Sequence, residues 1–269
     1  MPITDIPEWY PINTFLTGGY RKPKTFINAA FSIFEWHNET LNIHTHLWPG
    51  LLFISLYFSS QNEDYYVKAS VLTKICISVG YLSQITMFLS SAVAHTFYII
   101  DKDCSRIVFK LDFISIILVN FSHQLLDSFL LFKIIMKNDT LFIASLLIEA
   151  IFADYCIVDI ILNNTGRFWG ILYPAISSLP LTLSVYAFSY DNKNSILYDV
   201  ALASLQCSAF VFIGGIVFFK GKVPERLWGG VFDNMNSHVF HHLCIVASIF
   251  SANKAMPLLY VLERSSSVL

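Results

Sequence analysis

His238 and His242 stand four residues apart in an apolar stretch that runs from Ser237 to Leu259. On a helix that spacing puts both imidazoles on one face, where the two can reach a single metal ion. Ser91 and His95 repeat the spacing, while Glu39, Asn42 and His46 step by three and four. His95 would bring a third imidazole from a second helix, and three protein ligands leave one position open for water, as in a catalytic zinc site. Asp112, fewer than twenty residues beyond His95, is placed to accept a hydrogen bond from that water. A single histidine in a membrane helix more often hydrogen-bonds a neighbour than binds metal, so the weight rests on several groups converging.

Other polar residues carry less. His37, His44 and His241 fall out of phase with the clusters and read as interfacial, with His241 a competitor for the place of His242. His123 and Asp127 are again four apart but deep in an apolar stretch, and read as an interhelical pair rather than as catalysts. Glu149, Asp154 and Asp159 step by five and cannot all face one cavity. Cys76, Cys104, Cys156, Cys207 and Cys244 lack the close pairing of a structural zinc site or disulfide framework, and read as packing residues.

The elements that position these groups are membrane helices. The chain is 55% hydrophobic and 13% charged, an apolar excess that water-soluble packing cannot hide. Its net charge of -2 offers no basic field for nucleic acid. The first thirty residues carry Pro2, Pro7, Pro11 and Pro23 without an apolar core, so no cleavable signal peptide is expected. Seven stretches approach the roughly 20 apolar residues of a spanning helix. They run Leu41 to Ser60, Ser70 to Ile100, Leu111 to Phe132, Thr140 to Leu162, Phe168 to Tyr190, Tyr198 to Phe219 and Ser237 to Leu259. The polar links between them are Gln61 to Asp64, Asp101 to Lys110, Lys137 to Asp139, Asn163 to Arg167 and Asp191 to Asn194. Links so short predict antiparallel sequential neighbours.

The expected architecture is therefore all-α, a seven-transmembrane helix bundle over residues 39–269 behind a short cytoplasmic segment, residues 1–38. In such a bundle the starts of odd helices and the ends of even ones share a leaflet, which places every cluster named above at the same membrane face. Ten basic residues fall on the amino-terminal side and six on the other, so the amino terminus is expected in the cytoplasm and the carboxyl terminus outside.

The same residues carry a family resemblance. The segments Asn13 to Arg21, Glu39 to His46, Ser91 to His95, Lys110 to Asp112, Pro224 to Arg226, Phe232 to Asp233 and Ser237 to His242 resemble the progestin and adipoQ receptor family. That family includes adiponectin receptors, hemolysin III-like bacterial proteins and fungal Izh proteins linked to zinc homeostasis. The resemblance implies that His95, His238 and His242 are zinc ligands, that Asp112 holds the water with Ser91 nearby, and that Glu39, Asn42 and His46 support them from the same face. His241 departs from the apolar or aromatic residue usual there, and the basic loop before the fifth helix is reduced to Arg167.

The resulting expectation is a zinc-dependent intramembrane hydrolase of a lipid amide of ceramide type, acting in lipid and zinc homeostasis. A receptor or metabolic regulator with a structural zinc is the alternative, and a transporter ranks third because the histidines gather at one face. Expected partners are the bilayer and an acyl lipid, with a homo-oligomer compatible. Endoplasmic reticulum and plasma membrane both suit the sequence.

Overall fold

The computed structural model describes residues 2–10, 13–190 and 195–266, so the expected link Asp191 to Asn194 lies outside the described residues. Most of these residues are helical and, among them, no strand forms. The long helices are α1 (Thr40–Ser60), α2 (Val71–Phe97), α3 (Lys102–Ser128), α4 (Asp139–Asn163), α5 (Gly166–Ser189), α6 (Ile196–Ile213) and α7 (Ser237–Asn253), with a shorter α8 (Met256–Ser266). Their starts follow from local chemistry. Ser70, Asp101, Asn138, Ser195 and Asn236 each accept a backbone N–H of the first turn through the side chain. α4 ends at Asn164 in the left-handed conformation (φ 57°), which asparagine tolerates better than most residues.

Five helical stretches are long and apolar enough to cross a membrane: Val71–Phe97, Asp139–Asn163, Gly166–Ser189, Ile196–Lys220 and Ser237–Arg264. α1 and α3, at 21 and 27 residues, have the length without the uniform apolarity. Asn42, His44 and His46 interrupt α1. Asp103, Arg106, Lys110, Asp112 and Asp127 interrupt α3. Large apolar side chains such as Ile143, Leu147, Ile148 and Ile151 of α4 lie on the outer surface, where lipid is their natural solvent.

Two expected boundaries change. α3 begins at Lys102, so the stretch from Lys102 to Lys110 is helix rather than link, and Asp112 lies in the third turn instead of opening the helix. The charged residues of these turns hide the helix from a hydropathy reading but not from the Asp101 cap. The last span is broken at Lys254 and Ala255, where α7 stops and α8 takes over.

Packing also departs from strict sequence order. α1 packs on α2, α2 on α3, α3 on α5, α5 on α6, α6 on α7, and α7 returns to α1, closing a ring of six helices. α4 lies outside that ring, mainly against α3. Gly166 permits the close approach of α5 to α3, because a Cβ there would come within 2.3 Å of the Phe113 ring. The core splits accordingly. One apolar cluster, containing Phe53, Phe88, Phe129 and Leu130, packs the ring helices together. A second, with Ile117, Cys156, Ile160 and Tyr173, glues α4 to its exterior.

The segment ahead of α1 folds over the helix ends. Asp233 accepts the Thr17 and Gly18 backbone N–H groups at 3.0 and 2.9 Å and the Thr17 hydroxyl at 2.7 Å. Buried Arg21 donates to Ser32 Oγ at 2.7 Å, to the Thr96 carbonyl at 3.2 Å and to the His95 carbonyl. It thereby satisfies carbonyls in the last turn of α2, where a cation also suits the helix dipole.

Candidate metal centre

The three imidazoles expected to converge do so. Each of His95, His238 and His242 offers one nitrogen within 4.8 Å of the others, at the common end of α2 and α7. His95 Nε2 and His238 Nε2 are 3.1 Å apart. His95 and His242 are nearly inaccessible, at 4% and 2% exposure, so their ring nitrogens must find partners inside the protein.

Neighbouring groups decide which nitrogen is available. Glu39 Oε2 accepts from His95 Nδ1 at 2.8 Å and from Asn42 Nδ2 at 2.7 Å. That commits the His95 proton to Nδ1 and leaves a lone pair on Nε2. His242 Nδ1 lies 3.1 Å from the Asn42 carbonyl and 3.1 Å from Thr45 Oγ1. The Thr45 hydroxyl already donates to the Leu41 carbonyl at 2.7 Å, so both partners accept and His242 Nδ1 carries the proton. Its Nε2 is then the free lone pair. Two imidazoles so tautomerised cannot hydrogen-bond each other, whereas both can ligate a cation. The residues present fit a metal ion.

α1 is thus the supporting wall. His46 makes no hydrogen bond and stacks on His242 with ring centroids 3.7 Å apart and planes 8° from parallel, fixing the ring's tilt. Asp112 and Ser91 lie side by side close to His95, both buried. Glu39 and Asp112 together place two carboxylates where a divalent cation would be balanced in a low-dielectric setting.

The other polar positions separate from this centre. His241 lines the same cavity but packs at a tilt against Phe219, ring centroids 5.2 Å apart, and is not among the converging nitrogens. His44 faces the Ile33 carbonyl at 2.9 Å. His37 places Nε2 3.0 Å from the Ser32 carbonyl and accepts the Glu39 N–H on Nδ1 at 3.1 Å. Asp127 takes hydroxyls from Thr182 at 2.6 Å and Ser204 at 3.0 Å, tying α3 to α5 and α6 instead of pairing with His123. On α4, Asp159 accepts from Asn163, Thr165 and Trp169, each at 2.6 Å, as a local brace at the α4–α5 turn. Asp154 faces outward, and Glu149 is half-buried on the same external helix.

Three supporting residues had no role assigned from the sequence. Arg21 grips the backbone of His95 itself. Thr45 fixes the tautomer of His242. Buried Glu225 accepts the Ser237 N–H at 2.7 Å and the Asn13 side chain at 2.7 Å, setting the start of α7 immediately before His238. Their presence in the matching segments was the available signal; their contacts are tertiary.

The histidines open on a cavity of about 590 Å³ inside the ring. Asn13, Asn38 and Lys222 stand at its polar end, and Phe113, Ile116, Val119, Val211, Phe212 and Ile249 make an apolar wall beyond the metal centre.

Comparison with known proteins shows the family. The haemolysin-III-related family model matches residues 34–252. The ADIPOR-like receptor IZH2 of Saccharomyces cerevisiae is 24% identical over 257 residues, covering 91% of this chain and 79% of the relative. Membrane progestin receptor gamma of Homo sapiens is 28% identical over 271 residues, covering 91% and 76%. The adiponectin receptor protein of Drosophila melanogaster is 26% identical over 263 residues, covering 91% and 56%. With its histidines gathered at one end of an apolar helical ring and most of its length matched, the chain belongs to the haemolysin-III-related family of membrane proteins, which holds the adiponectin and progestin receptor relatives.

Proposed function

We propose that this protein is a zinc-dependent hydrolase that cleaves the amide of a ceramide-type lipid within the membrane. The observation that carries the reading is that three convergent imidazoles and the Asp112 carboxylate line one largely apolar cavity. A three-nitrogen donor set suits zinc, and the 3.1 Å separation of His95 and His238 nitrogens is close to the roughly 3.4 Å set by two Zn–N bonds of about 2.0–2.1 Å. Zinc held there would supply Lewis-acid polarisation of the carbonyl and water acidified to a pKa of about 7.

The chain's own groups account for the rest. The apolar wall binds the acyl chain and excludes bulk water. Asp112 accepts the proton of the attacking water and returns it to the departing amine, while the Ser91 hydroxyl beside it orients the carboxylate. Water adds its oxygen to the carbonyl carbon, the C–N bond breaks, and fatty acid and amine leave.

The reading includes seven spans, with α1 and α3 crossing the bilayer alongside the five uniformly apolar stretches. Closure of the ring by α1 and α3 supports it, since a gap at either would expose the metal centre to lipid. The ten-to-six basic bias puts the amino terminus in the cytoplasm, in the endoplasmic reticulum or plasma membrane.

The test is amide hydrolysis by purified protein in detergent, with fatty acid release from ceramide measured beside metal content. Parent protein should turn over and hold zinc. Asp112→Asn should hold zinc and lose at least about 100-fold in rate, the scale of a general base. Zinc bound by both proteins with no turnover in either would favour a receptor with a structural metal, the reading that the names of the relatives support.

A further inference from the structure

The polar end of the cavity carries positive charge that no acidic partner takes up. Arg167 in the first turn of α5, Lys220 at the end of the stretch Ile196–Lys220 and Lys222 just beyond it all line the cavity. Among the described residues the ion pairs engage Lys24, Lys68, His95, Arg106 and Lys133, and none of these three. Lys222 is only partly exposed, its backbone takes the left-handed conformation at φ 55°, and its ammonium lies over the Phe219 ring, 5.1 Å from the centroid. Its charged neighbours are Glu225, Arg167 and Glu39. Both carboxylates are already engaged: Glu225 accepts from Ser237 and Asn13, and Glu39 from His95 and Asn42. Burial pushes the Lys222 pKa below the ordinary lysine value; Glu225 opposes the shift and Arg167 adds to it. An anion beside Lys222 and Arg167 would offset both the burial and the repulsion, whereas a neutral or cationic group would offset neither.

We propose that Lys222 and Arg167 hold the phosphate headgroup of an anionic lipid whose chains lie in the cavity. The inference rests on the cavity being a lipid site, and it names the substrate class, a phosphorylated lipid amide in preference to a neutral one. The two cations come from separate elements, so a guanidinium fork and an ammonium can each take a phosphate oxygen. They stand at the polar end, where a headgroup belongs. The acyl chain runs the other way, along the apolar wall past Ile116 and Phe212.

The experiment is displacement of a fluorescent ceramide from the purified full-length protein by ceramide, by ceramide 1-phosphate and by inorganic phosphate. In the parent protein the phosphorylated lipid should bind about tenfold more tightly than ceramide, the worth of one charge-assisted hydrogen bond partly screened by solvent. Lys222→Gln and Arg167→Gln should each bind ceramide as the parent does and lose most of that preference, and Lys222→Arg should keep it. Lys102→Gln, which removes an exposed charge at the start of α3, away from the cavity wall, should also keep it. Equal affinity of the two lipids in the parent protein would overturn the proposal and leave the hydrolase reading intact. Loss of the preference in Lys102→Gln to the same degree would overturn it too, because a general surface field would then be its source. Inorganic phosphate should leave the probe bound; release by phosphate alone would mark a free-anion site and overturn the headgroup assignment. Failure of both lipids to displace the probe would overturn this proposal together with the lipid reading beneath it.

Discussion

Two of the three imidazoles at the metal centre owe their usable nitrogen to neighbours in α1 or at its cap. Glu39 sets the tautomer of His95, and the Asn42 carbonyl with Thr45 sets that of His242. Outer partners of this kind typically change metal affinity by about 10- to 100-fold. Glu39→Gln should therefore weaken zinc binding by that factor in a chelator competition without unfolding the protein, and an unchanged affinity would mean that the carboxylate is not the orienting group. His37 gives a pH prediction in the segment before α1. Burial, with the Arg21 guanidinium adding to it, pushes its pKa from 6.5 down to about 4. The unfolded chain then binds more protons between those values, so stability is full above pH 6.5 and falls as pH drops toward 4. The melting temperature of His37→Gln should fall less between pH 7 and 5 than that of the parent; parallel loss in both would remove His37 as the cause. At this scale the converging histidines and Asp112 were legible from i, i+4 spacing and helix parity. Arg21, Thr45 and Glu225 were not, because a side chain that grips another helix's backbone leaves no periodic trace.

At the level of elements, the amino-terminal segment behaves as a strap across the helix ends. It is anchored at Arg21 on α2 and at Asp233 ahead of α7. Hydrogen bonds to a charged group are worth about 1.5–3 kcal/mol. Arg21→Ala should lower stability by about 2 kcal/mol or more, and hydrogen exchange of residues 13–24 should speed up first. A global loss with no local change would show that the strap is part of the main cooperative unit. Element boundaries show where hydropathy fails as a guide. The charged first turns of α3 have the hydropathy of a link, and the α7–α8 break, apolar on both sides, leaves no mark in it. Caps such as Asp101 carried the missing information about α3.

Over the whole molecule, a ring of six helices encloses the cavity and α4 stands outside it. The helical fold and the shared face of the clusters followed from composition and parity. The outer position of α4 did not, since its exceptional apolarity is equally consistent with a central helix. Its acidic residues then need no catalytic role: Asp154→Leu should leave zinc content and turnover within twofold of the parent, and a larger loss would return α4 to the functional site. An odd number of spans also requires the termini on opposite sides. Protease protection of terminal tags in sealed microsomes should expose the amino-terminal tag and shield the carboxyl-terminal one, and equal exposure would refute the seven-span reading.

Everything functional depends on His95, His238 and His242 ligating one ion. X-ray absorption at the zinc edge, on protein purified without added metal, addresses that most directly. One zinc per chain with nitrogen or oxygen neighbours at about 2.0–2.1 Å, and loss of that metal in His238→Ala, is the predicted result. Protein that is folded and metal-free, or zinc bound through sulfur at about 2.3 Å, would contradict it.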